Sequence, residues 1–92
     1  MIIHFADKNT QAIFKGKMVK RVPLDLQHNV LRKLQIMDAA GSIAELQAVP
    51  GLHCKVYKLP LWSIRVNNQY RITFTFSERP LTISNVMFSD YH

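Results

Sequence analysis

Apolar residues along the chain recur first at helical and then at strand spacing, and the period changes near Leu52. Met1 to Phe5 is a short apolar run that predicts a strand. Asp7 is placed to cap a helix running through Lys15, with Ala12, Ile13 and Phe14 turned inward and Gly16 ending it as a C′ glycine. Leu26, Val30, Leu34 and Met37, widened by Leu31, form the stripe of a second helix over residues 24–40, with Pro23 at its first turn and Gly41 as its stop. Ser42 followed by Glu45 has the capping-box spacing for one more short turn, residues 43–47, before Pro50 and Gly51 break the chain. Beyond Leu52, alternating β-branched and aromatic residues predict four strands, around Val56/Lys58, Trp62/Ile64/Val66, Tyr70/Ile72/Phe74/Phe76 and Val86/Phe88. Pro60, Asn67-Asn68 and Glu78-Arg79-Pro80 separate them, and the paired asparagines suggest a type I′ hairpin. The outline is α+β: an N-terminal strand and two packed helices against an antiparallel sheet, in one domain spanning residues 1–92.

Composition narrows the class. The chain has 92 residues and is 48% hydrophobic, with 3 Gly and 4 Pro, which suits a packed core and not a disordered chain. The single cysteine, Cys54, cannot form an intramolecular disulfide, and no His/Cys spacing marks a zinc site. No signal-like or membrane-spanning run is present, so a cytoplasmic protein without a membrane partner is expected. Twelve Lys+Arg against six Asp+Glu give a net charge of +6, which suits a polyanionic partner.

Two groups of residues could carry chemistry. His53 lies among Lys55, Tyr57 and Lys58, and the run Ser89-Asp90-Tyr91-His92 follows the last strand, whereas His4 and His28 read as structural or solvated. A carboxylate, a phenol and an imidazole beside Arg65 and Arg71 are the parts of metal-free RNA cleavage: a base for the ribose 2′-OH, an acid for the departing 5′-oxygen and cations for the phosphorane. Arg65 and Arg71 fall near one another across the Asn67-Asn68 turn, and arginine grips phosphate with two donors. Tyr57, Tyr70 and Tyr91 could stack on bases, Tyr70 being the better core residue, and Trp62 reads as a hairpin anchor. Lys17, Lys20 and Arg21 form a basic connector that is either a solvated face or a contact to nucleic acid. A glycine-rich phosphate loop, a Gly-x-Ser-x-Gly elbow and a glycosidase-like or two-metal carboxylate set are all missing.

The segments MIIHFADKNTQAIFKGKMVKRVP, RKLQIMDAAGSIAELQAVPG and LWSIRVNNQYRITFTF and the terminal SDYH together resemble the HigB branch of the RelE/ParE toxin superfamily, over essentially the whole chain. The resemblance implies a microbial-ribonuclease-like fold and cleavage of mRNA in the ribosomal A site without metal or other cofactor. It further implies a helix-turn-helix antitoxin resembling HigA as partner. The implied catalytic residues are His53, Asp90, Tyr91 and His92. Arg71, and either Lys55 or Lys58, would contact phosphate; on charge and position, Arg65 would lie beside them, and Lys17, Lys20 and Arg21 would meet the ribosome. The chain departs from the family's leucine-lysine-glycine loop, reading HCKVYKLPLW without glycine. A ParE-like toxin that binds DNA gyrase through its helices, and a basic RNA-binding module without catalysis, are the competing functions.

Overall fold

Residues 1–90 are described by a computed structural model. Helix α1 (Lys8–Phe14) starts at Asp7, whose carboxylate accepts from the Thr10 amide at 2.6 Å. It closes with Gly16 at φ +81°, the Gly16 and Lys17 amides donating to the carbonyls of Ile13 and Ala12. That pair of hydrogen bonds is the Schellman arrangement that a left-handed glycine permits. Helix α2 (Leu24–Ala39) buries Val30, Leu34 and Met37 completely. Pro23 is its N-cap and not a first-turn residue, and it lends no side-chain bond. The buried Gln27 organises the connector instead: its amide accepts from the Val19 N–H at 3.0 Å and donates to the carbonyls of Val19 and Val22 at 3.1 and 2.9 Å. Helix α3 (Ile43–Ala48) is capped by Ser42, while the Glu45 carboxylate reaches back past it to the Gly41 amide at 2.8 Å.

The sheet comprises β1 (Lys55–Lys58), β2 (Leu61–Arg65), β3 (Tyr70–Ser77) and β4 (Thr82–Asp90), antiparallel and in sequence order. Ile64, Ile72, Phe74, Ile83 and Val86 share one core with Ile13, Val30, Leu34, Met37 and Leu46 of the helices. Strand β4 is longer than the Val86/Phe88 alternation predicted. Asn85 at φ +54° forms a bulge that shifts the register between Thr73↔Met87 and Thr75↔Ser84, so Ile83 and Val86 both face inward although three apart. The N-terminal residues lie along β4 through two parallel bridges, Ile2↔Ile83 and Phe5↔Val86, without forming a continuous strand. The Asp38 carboxylate accepts from the Ile2 amide at 2.9 Å and ties this segment to α2. Among the described residues, no helix is long and apolar enough to cross a membrane.

Thr10 joins the helical layer to the end of β4. It is fully buried, and its hydroxyl accepts from the Phe88 amide at 3.0 Å. Thr10→Val keeps the shape and leaves that amide unpaired, so urea unfolding is expected to show a loss of about 1–3 kcal/mol.

Candidate active site

Strand pairing assembles a basic surface on the face of the sheet away from the helices. Arg65 stands opposite Arg71, which in turn faces Ser89, and the next row runs Lys55, Ser63, Thr73, Met87. Partners in an antiparallel register project to the same side, so these residues alternate with the core positions Ile64 and Ile72. His53, Lys55, Arg65 and Asn68 line an open cleft of about 290 Å³.

His53 reaches the cleft because the backbone turns left-handed there, at φ +50°, between the buried Leu52 and Cys54. The Leu52 carbonyl accepts from the Arg65 amide at 2.8 Å, which fixes this lead-in beside β2. The β2–β3 connection is not the expected type I′ hairpin, since neither asparagine has positive φ. It is a loop of residues 66–69 closed by the Asn67 side-chain oxygen Oδ1, which accepts from the amides of Gln69 and Tyr70, each at 2.8 Å. Asn68 is thereby turned toward the cleft, where its side-chain oxygen accepts from Arg65.

The two candidate loop lysines separate clearly. Lys55 lines the cleft, whereas Lys58 is exposed at the β1–β2 turn opposite Leu61. Arg71 is buried, and its guanidinium carbon lies 4.0 Å from the centre of the Tyr57 ring. Asp90 pairs with Tyr70, and its carboxylate accepts from Gln69 at 3.0 Å, beside the turn and not among the cleft-lining side chains. Tyr91 and His92 lie outside the described residues. Lys17, Lys20 and Arg21 are exposed in the α1–α2 connector, apart from the cleft. Tyr70 is half-buried and stacks on Phe88 at 5.0 Å, while Trp62 meets Phe76 edge-on at 5.1 Å. His4 accepts from the Asn85 amide at 3.3 Å, a structural contact at the bulge.

Residue reading passed over Asn68 and the pairing of Tyr57 with Arg71. An asparagine in a turn is a signal for local capping, and only the Asx closure by its neighbour shows which of the two is left for the cleft. Chemically, the cleft offers cations and an imidazole to an anionic ligand of phosphate type. Among the described residues, no three His, Cys, Asp or Glu side chains are grouped to hold a metal ion.

A small α+β protein whose sheet carries helices on one face and a cationic cleft on the other has the architecture of RelE-like toxins. The family model described as the RelE-like toxin of the type II toxin-antitoxin system HigB matches residues 3–92, and the chain belongs to this HigB-like toxin family. It is 35% identical to Toxin HigB-1 of Vibrio cholerae over 80% of this chain and 82% of that one. It is 33% identical to Endoribonuclease HigB of Proteus vulgaris over the whole of both chains. A type II toxin is one member of a pair, the other being its antitoxin.

Cys54, next to His53, is no nucleophile. Burial raises its thiol from 9.0 to about 11. The neutral thiol is therefore favoured in the folded state, and stability falls as pH rises from about 9 to 11, where the unfolded chain ionises first. Over that range Cys54→Ala is expected to lose stability less steeply than the parent, by roughly 1.4 kcal/mol per pH unit in thermal melts. Iodoacetamide at pH 8 is expected to label the parent only after denaturation.

Proposed function

We propose that this toxin is a ribosome-dependent endoribonuclease that cuts mRNA in the A site by attack of the ribose 2′-OH, acting in the cytoplasm under the control of a HigA-like antitoxin. The observation that carries this reading is the convergence of His53, Lys55 and Arg65 on one open cleft, with Arg71 in the register position beside it. Lys55, Arg65 and Arg71 hold the scissile phosphate and stabilise the charge that develops on it. His53 and the C-terminal Asp90, Tyr91 and His92 carry the two proton transfers. One removes the 2′-OH proton as that oxygen bonds to phosphorus; the other protonates the 5′-oxygen as its bond to phosphorus breaks. The products are a 2′,3′-cyclic phosphate and a 5′-OH, so no metal-activated water is required. The exposed Lys17, Lys20 and Arg21 contact ribosomal RNA at a distance from the reacting atoms.

A message with a single 2′-deoxy substitution at the scissile nucleotide tests the chemistry. It keeps the phosphate contacts and lacks the nucleophile, so it is expected to bind in the A site and remain uncut. Cleavage of that message would sink the 2′-OH mechanism, and growth arrest by variants that no longer cut RNA would favour gyrase binding. Docking has its own measurement. Neutralising Lys17, Lys20 and Arg21 together is expected to weaken ribosome binding and flatten its dependence on salt, with the rate of cleavage once bound nearly unchanged.

A further inference from the structure

Arg71 has the one charged side chain of the buried class among the described residues, 6% exposed, although it stands on the face of the sheet that no helix covers. Its Cα shares a row with Arg65 and Ser89, whereas Tyr57 lies on β1 beyond the row of Lys55, Ser63 and Thr73. A guanidinium carbon 4.0 Å from the Tyr57 ring centre therefore requires the Arg71 side chain to lie down along the sheet, across Ser63 and Thr73. Those two small residues are 5% and 8% exposed, as a side chain lying over them would leave them. Arg65 starts from the facing position and turns to Asn68. Two guanidiniums that begin opposite one another thus end apart, one against an aromatic face and one against an amide oxygen.

We propose that Tyr57 is the positioning residue of Arg71. Its ring face holds the guanidinium beside the cleft and away from Arg65, where the nuclease reading puts a phosphate contact. The hydroxyl has no part in this, so Phe can replace Tyr57 and an aliphatic residue cannot. Tyr57 itself is 47% exposed and carries little of the core, which makes it open to substitution without loss of the fold. The proposal rests on the nuclease reading for its consequence in catalysis and on the Arg71 contact alone for its geometry.

The test combines ring-current shifts in the free protein with a double-mutant cycle on ribosome complexes. The Arg71 Nε–Hε resonance is expected to lie upfield in the parent and in Tyr57→Phe, and to return to its ordinary position in Tyr57→Leu. In single-turnover cleavage, Tyr57→Phe is expected within twofold of the parent. Tyr57→Leu is expected to lose about tenfold in rate, with the substrate concentration at half-maximal rate moved less than twofold. In an Arg71→Ala background the same leucine is expected to cost less than twofold more. An equal loss in both backgrounds would mean that Tyr57 stacks on RNA directly and would overturn the proposal, as would an unmoved Arg71 resonance. Failure of the parent to cleave at all would defeat the nuclease reading instead, and the resonance shift, read without RNA, keeps the two failures apart.

Discussion

Arg71 carries a charge it cannot shed, and the sheet removes that charge from water. Desolvating an arginine costs several kcal/mol unless its surroundings compensate, so every element near it is constrained. β3 must be central, with strands on both sides to wall the side chain in. The flanking row must be small, as Ser63 and Thr73 are, and β1 must run far enough to present Tyr57. A protein that needed only stability would fill the position with an apolar side chain. A cation held there at this cost is what the proposed phosphate contact depends on, since a fixed charge loses little by reorganising as charge develops.

The helical layer makes this rigidity possible while taking no direct part in the site. Val30, Leu34 and Met37 press on the back of the same strands whose front carries Arg65 and Arg71, so the pleat converts a hydrophobic pattern into the placement of cations. The basic connector has a separate relation to the cleft. It leads into Pro23, which with Asn67, Gln69 and Tyr70 lines a second depression of about 410 Å³ behind the hairpin.

The helices were legible because their signals are local. Asp7 bonds three residues ahead, Gly16 closes the turn behind it, and the α2 stripe needs nothing beyond its own period. The meander was legible in strand number and order, and the nearness of Arg65 and Arg71 followed from the turn between them, while their direct facing depends on the longer loop of residues 66–69. What was not legible depends on partners distant in sequence. The bulge at Asn85 interrupts alternation and hid the first half of β4, and the left-handed turn at His53 has no glycine to announce it. The hairpin length was misread because Asn67 closes the loop with its side chain, a bond that competes with the positive-φ turn its type also allows. Sequence could assemble the candidate residues of the site but could not choose between Lys55 and Lys58, because the bulge between Val56 and Lys58 decides which lysine faces the cleft.

The parallel bridges between the N-terminal segment and β4 bear on when the molecule can exist. Ile2 meets Ile83 and Phe5 meets Val86, so each of these contacts joins residues 81 positions apart in the chain. The same strand supplies Ser89 to the row of Arg71 and the amide that Thr10 caps. Until residues 82–90 have been synthesised and are free to pair, the sheet has an open side and α1 lacks its anchor. The edge of the sheet and the anchor of α1 therefore hang on the same distant stretch, so the cleft is complete only when both ends of the described chain have come together.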